Sequence, residues 1–169
     1  MKKLVILLGA LGICYLFVNG NTIVSSLREQ APNNENIYLA LKTLNVKYAD
    51  VVYAQIMLES ANLHSKLFKT NNNLVGMKHP KRRETTSLGS RKGYARYEDW
   101  YSCVQDYLLY QNDILEDKHM SKKQYIAYLG KKYATDKHYV AKLKNKMKEN
   151  KILVAKIDSV YSNNYLCQN

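Results

Sequence analysis

The stretch Ala54–Pro80 reads AQIMLESANLHSKLFKTNNNLVGMKHP. It sets one carboxylate, Glu59, at the end of an apolar run and then brings three consecutive asparagines, Asn71, Asn72 and Asn73. Apolar positions spaced three or four apart predict a helix over about 49–61, with Val52, Ile56 and Glu59 on a common stripe. One or two further turns fit Leu63–Lys69. The asparagines then end the helical region, because their side chains compete for backbone hydrogen bonds and tolerate turn geometry. A carboxyl group that leaves a helix along its apolar stripe is partly desolvated, which disfavours ionisation and raises its pKa. A glutamic acid kept protonated near neutral pH is suited to general acid work. Gln55, one turn earlier, is placed to hydrogen-bond it. A solvated glutamate at an ordinary helix end fits the same spacing.

Working outward, Ile37, Leu41 and Leu44 mark a helix from Glu35 to near Asn45. Leu74–Tyr97 is punctuated by Gly76, Pro80, Gly89 and Gly93 among strand-compatible Thr85, Thr86, Tyr94 and Tyr97, which predicts a small hairpin or irregular β-lobe. Asp99 is a candidate N-cap for a helix with Trp100, Val104, Tyr107 and Leu108 inward. Helices follow over Ser121–Lys132 and Lys137–Glu149, separated by the break YATD, with a short element at Ile152–Val160. The expected fold is α+β and mostly helical, one domain over 35–162, which suits a chain of 169 residues.

The chain opens MKKLVILLGALGICYLFVNGN, two lysines and an apolar run over Leu4–Val18, the layout of a secretory signal. The run is short for a spanning helix, which needs roughly 20 residues. Residues 1–20 are therefore read as a signal peptide or membrane anchor, 21–34 as a linker and 163–169 as a C-terminal tail. The expected location is the cell envelope or outside the cell, with membrane contact only through the N-terminal segment. The formal charge of +12 favours a polyanionic partner. Export argues against nucleic acid and leaves acidic lipid or an anionic wall polymer.

Cys103 and Cys167 remain beyond the leader; exported, they are a candidate disulfide. The four histidines show no ligand spacing, so neither a metal nor another cofactor is expected.

QIMLES, NNNLVGMKHP, GYARYEDWYSCVQDYLLYQ and KKYATDKHYVAKL, in that order and with comparable gaps, resemble the glucosaminidase family, glycoside hydrolase family 73, of bacterial autolysins and flagellar peptidoglycan hydrolases. The resemblance runs from about Tyr48 to Leu143. It implies a lysozyme-like domain with a small β-lobe that hydrolyses the β-1,4 bond on the reducing side of N-acetylglucosamine in peptidoglycan glycan strands. It places Glu59 at the general acid, Tyr133 of YATD at a cleft tyrosine important for activity, and Asn72, Asn73 and Gly76 in the loop walling the acid. The asparagines either bond N-acetyl groups or hold the turn, and the turn is the favoured reading. Val75 stands where the family more often has an aromatic residue, and Cys103 where it usually has serine.

An inverting glycosidase needs a second carboxylate about 6.5 to 9.5 Å from the acid and a retaining one about 5 to 5.5 Å, unless the substrate's acetamido group serves instead. Within Leu74–Tyr97 the one candidate is Glu84, beside Arg82 and Arg83, which favour its ionised form. Asp99 and Asp136 read as helix caps. Tyr94, Tyr97 and Trp100 are candidate sugar platforms, with core packing the alternative. Lys78, Lys81, Arg82, Arg83, Arg91, Lys92 and Arg96 crowd the lobe as a candidate surface for an anionic wall polymer. Two alternatives to a glycosidase stand beside it: a peptidoglycan-binding module of the same fold, non-catalytic or weakly catalytic, and a wall peptidase using Cys103.

Overall fold

The computed structural model describes residues 26–115, 118–132 and 136–166. The first long helix, α1 (Asn34–Thr43), starts at Asn33, whose side chain accepts from the Asn36 amide at 2.8 Å. A turn with Asn45 and Tyr48 at positive φ leads into α2 (Ala49–Glu59). This helix is the centre of the molecule. All seven residues from Val51 to Met57 are buried, as expected of a helix that is apolar on nearly every side.

The short α3 (Lys66–Asn71) follows, its first turn capped by Ser65 Oγ, which accepts from the Phe68 amide at 3.1 Å. Leu63 belongs to the preceding turn, so the helix expected from Leu63 begins three residues later. The lobe carries one antiparallel pair, β1 (Ser90–Arg91) and β2 (Tyr94–Ala95), in register Ser90↔Ala95 and Arg91↔Tyr94. Lys92 and Gly93 between them lie at φ 53° and 81°, the positive values a tight two-residue hairpin turn demands. The mostly helical fold with a small lobe is thus as expected from the sequence.

Four helices complete the domain: α4 (Trp100–Leu115), α5 (Lys122–Lys132), α6 (Tyr139–Glu149) and α7 (Lys151–Leu166). Asp99 caps α4 by accepting from the Ser102 amide at 2.7 Å. Ser121 and Gln124 cap α5 reciprocally, at 2.7 Å and 3.4 Å. Gly130 lets α5 and α6 close on each other, since a Cβ there would lie 2.5 Å from Val140 Cγ2. The broadest helix contact in the core is α2 on α6. Asp158 of α7 takes Lys42 of α1 at 2.9 Å, and Lys156 takes Glu35 at 2.9 Å. α7 runs to Leu166, beyond residue 162 where the domain was expected to end.

The linker reading of 21–34 needs correction from residue 26 onward. Residues 26–29 are helical, Leu27 is buried in the core, and Arg28 pairs with Glu98 at 2.6 Å and Asp99 at 2.5 Å. Trp100 Nε1 donates to the Gln30 carbonyl at 2.9 Å, so this segment is packed onto the domain. The 1–20 leader and Cys167 lie outside the described residues.

Candidate active site

Glu59 is the last residue of α2. Immediately beyond Ser60, three non-glycine residues, Ala61, Asn62 and Leu63, lie at φ 51°, 52° and 70°. Left-handed backbone costs residues such as Ala61 and Leu63 about 1–2 kcal/mol each, and asparagine less, so the turn persists because it is tied down. Ser60 Oγ accepts from the Leu63 amide at 2.9 Å, and the Asn62 and Ser65 amides reach Met57 and Ser60 carbonyls, each at 2.8 Å. The chain is thereby turned sharply off the helix end and Glu59 is left half-buried at its tip. Burial pushes its carboxyl above the usual glutamate range, against an opposing interaction with the Tyr139 hydroxyl.

Beneath Glu59 lies a line of buried polar side chains. Gln111 is oriented by the backbone of Lys47: the Lys47 amide donates to Gln111 Oε1 at 2.7 Å, and Gln111 Nε2 donates to the Lys47 carbonyl at 2.8 Å. Gln111 Nε2 also reaches Tyr125 Oη at 3.1 Å, Tyr125 and Tyr107 hydroxyls are 2.7 Å apart, and Tyr107 donates to Gln55 Oε1 at 2.6 Å. Gln55 is fully buried, yet its Nε2 has no partner, and the buried Tyr139 hydroxyl completes no hydrogen bond either. Gln55 was expected to bond Glu59 directly; instead its amide oxygen is held by Tyr107.

The asparagine triplet stitches the lobe to α3. Asn73 donates to the Met77 and Ala95 carbonyls at 2.8 and 2.9 Å and accepts from the Val75 and Met77 amides at 3.3 and 3.2 Å. Asn72, at φ 51°, donates to the Tyr97 and Glu98 carbonyls at 3.2 and 2.8 Å. Both amides are thus committed to backbone, the turn-holding alternative. Gly76 sits at φ 70° against Tyr94, where a Cβ would lie 4.0 Å from the Tyr94 ring. Tyr94 is 40 % exposed and is the open aromatic surface of the lobe. Tyr97 and Trp100, the other expected platforms, are 2 % and 4 % exposed and belong to the core. Their polar tips are used internally, on Asp106 at 2.7 Å and on Gln30.

Asp106 is the buried carboxylate that the sequence reading missed. It is fully buried, and Arg83 grips it with two hydrogen bonds of 2.8 and 3.0 Å. Arg83, expected to act on the Glu84 carboxylate, is committed to Asp106 and touches Glu84 only at its backbone carbonyl, 2.7 Å away. Glu84 itself is exposed and lines a groove of about 860 Å³ with Asn45, Lys47, Gln111 and Asp113; Glu59 is not part of that lining.

A family profile described as mannosyl-glycoprotein endo-beta-N-acetylglucosaminidase matches residues 35–152, well over half of the chain. The chain belongs to the glucosaminidase family. Among solved structures, the catalytic domain of the autolysin Auto from Listeria monocytogenes is similar, with 23% identity over 83% of this chain and 88% of that one and a TM-score of 0.46. No curated protein sequence matches. As a glucosaminidase-family member the chain is a glycoside hydrolase that acts on peptidoglycan, a polymer of the cell envelope. No helix among the described residues is long and apolar enough to cross a membrane.

Tyr133, the tyrosine carried over from the family motif, lies outside the described residues. Cys103 is a buried free thiol in this glucosaminidase domain, accepting from the Leu74 amide at 3.3 Å, and burial pushes its pKa up to about 12. A thiol so protected cannot supply the thiolate that a wall peptidase needs. Tyr139 was also unflagged. Its signal was present: Tyr139, Leu143 and Met147 recur four apart in an otherwise lysine-rich segment, and the first two are buried.

Proposed function

We propose that this chain cleaves the β-1,4 bond on the reducing side of N-acetylglucosamine in peptidoglycan, with Glu59 as general acid. The observation that carries the reading is the half-buried Glu59 carboxyl, held at the tip of a buried helix, with its proton affinity raised by desolvation. The strained turn after it supports the same reading, since strain concentrates where a site fixes a side chain's position. The Gly76–Tyr94 wall offers a ring face for a sugar, and the family motif assigns Tyr133 a part in activity. Residues 1–20 carry the chain out of the cytoplasm. Incubation of purified peptidoglycan with the mature chain tests the reading: soluble muropeptides are expected, and binding without release would assign a carbohydrate-binding module instead.

Glu84 is the lobe's candidate for the second catalytic group. If it activates water or attacks the sugar, Glu84→Gln lowers kcat by about 100-fold or more; a variant within a fewfold of wild type would give that role to the substrate's acetamido group. Rates on a soluble glycan fragment distinguish the two.

Lys78, Lys81, Arg82, Lys92 and Arg96 are all exposed, and among the described residues none forms an ion pair. We assign this surface to an anionic wall polymer. Retention on cell walls is expected to fall about tenfold when these five are replaced by glutamine or when salt is raised to several hundred millimolar, because exposed charges are screened. Unchanged retention in a sedimentation assay would rule out the polymer as this surface's partner.

A further inference from the structure

The buried polar line beneath Glu59 has a direction. The Lys47 backbone fixes which end of the Gln111 amide donates, so Gln111 donates to Tyr125. Tyr125 is then left to donate to Tyr107, and Tyr107 donates to Gln55 Oε1. This orients the remaining end of Gln55, the unpartnered Nε2, toward Tyr139. Tyr139, from the first turn of α6, brings its buried and unpartnered hydroxyl to Glu59 and Gln55. Two buried donors without partners, one of them facing a carboxyl that changes charge, are costly unless one state of the site uses them.

We propose that Tyr139 is the positioning residue of the catalytic acid: its hydroxyl donates to the Glu59 carboxylate once the proton has gone to the leaving-group oxygen, and Gln55 Nε2 donates to the Tyr139 oxygen. The proposal rests on the reading of Glu59 as general acid. The proton lost by Glu59 ends on the leaving sugar oxygen, and the Tyr139 proton stays on tyrosine throughout. Tyr139 itself is suited to this, because burial, then the Glu59 charge, push its pKa well above the ordinary tyrosine range and keep it a donor. The other groups near this helix end do not substitute for it. Lys146 on α6 is engaged by Glu149 at 2.5 Å and by Asn62 at 3.3 Å, and His64 Nδ1 lies 2.6 Å from the Asn62 carbonyl. Tyr125 on α5 is used within the line.

The test is the Glu59 titration followed by carbon NMR of glutamate-labelled protein, with Glu59→Gln identifying the resonance, in wild type and in Tyr139→Phe. Loss of a hydrogen bond to the charged form moves the Glu59 midpoint upward by about one pH unit. The basic limb of the kcat/KM profile moves with it. Below the Glu59 midpoint thermal stability is expected to be unchanged or slightly higher, since only an unpartnered oxygen is removed; above it the variant is expected to lose about 1.4 kcal/mol, the one-unit shift read as stability. A midpoint that stays put or falls, or a variant that unfolds, would overturn the proposal by making the hydroxyl irrelevant or purely structural. The titration does not depend on turnover. The predicted shift in Tyr139→Phe, with a wild type that digests nothing, would sink the general-acid reading and leave the Tyr139–Glu59 hydrogen bond standing, whereas active enzyme with no shift in the variant would sink this inference alone.

Discussion

Replacing Glu59 by glutamine is expected to lower peptidoglycan hydrolysis by about 1,000-fold or more, at the upper part of the range for loss of a positioned general acid, with the fold intact. Glutamine keeps the shape of the side chain and can hydrogen-bond, but it has no proton to deliver. The same change carries a signature in stability. Burial raises the folded-state pKa of Glu59 above its unfolded value, so the folded state binds the proton more tightly than the unfolded chain does. Above that raised pKa the carboxylate is charged in a desolvated place and destabilises the fold; below the unfolded value, about 4.3, the effect vanishes. Glu59→Gln is therefore expected to be slightly more stable than wild type at pH 7 and equal to it near pH 4, read by thermal denaturation at both. A residue that weakens the fold while being required for turnover is the pattern of a functional carboxylate. Residual activity within tenfold of wild type would remove Glu59 from the chemistry.

Removal of the Asp106 carboxylate, as Asp106→Ala, is expected to cost about 3–5 kcal/mol of stability. The carboxylate is fully buried and the Arg83 side chain 12 % exposed, so the change strands a guanidinium and also deprives the Tyr97 hydroxyl of its partner. Desolvation alone would raise the Asp106 pKa, but hydrogen bonds from Arg83, Thr85 and Tyr97 outweigh it and hold the carboxyl below the usual aspartate range. A depressed folded-state pKa means that the stabilisation is complete above the unfolded value, about 3.9, and is lost as pH falls from there through the folded value. Wild type is accordingly expected to lose stability steeply below about pH 4, and Asp106→Ala to lose that component. Denaturant titrations at pH 7 and pH 3 measure both effects; a loss under about 1 kcal/mol at pH 7 would show that this pair does not hold the lobe. The effect reaches the site because Arg83 and Tyr97 bound the segment that carries Gly76's neighbour Tyr94 and anchor it to α4.

The helices were legible because their apolar spacing and caps act locally. Asn33, Asp99 and Ser121 each sit at the start of a helix and satisfy amides there, and the placement of Glu59 at a helix end followed from Val52 and Ile56. The same stripe logic, applied to α4, points at Asp106, which lies three residues from buried Cys103. It was hidden because its partner Arg83 is 23 positions away in sequence, and a sequence offers Glu84 to Arg83 first. Fifteen tyrosines gave too many candidate platforms for composition to sort. Only packing separates Tyr94, which is open, from Tyr97, which is closed over Asp106. The line from Gln111 to Tyr139 joins residues of α4, α5, α2 and α6, and no spacing rule within one helix reveals it. Residues 26–30 looked like a tether because they lack periodicity, yet Leu27 and Arg28 each find a distant partner surface.

The bond that is cut is read directly from the reducing ends it leaves. Peptidoglycan digested by the mature chain, reduced with borohydride and analysed by mass spectrometry, reports the sugar at each new reducing end. Reduced N-acetylglucosamine is expected at those ends, formed by wild type and absent with Glu59→Gln. Reduced N-acetylmuramic acid would rule out the assigned bond, and wild-type amounts of product from Glu59→Gln would rule out Glu59 as the acid.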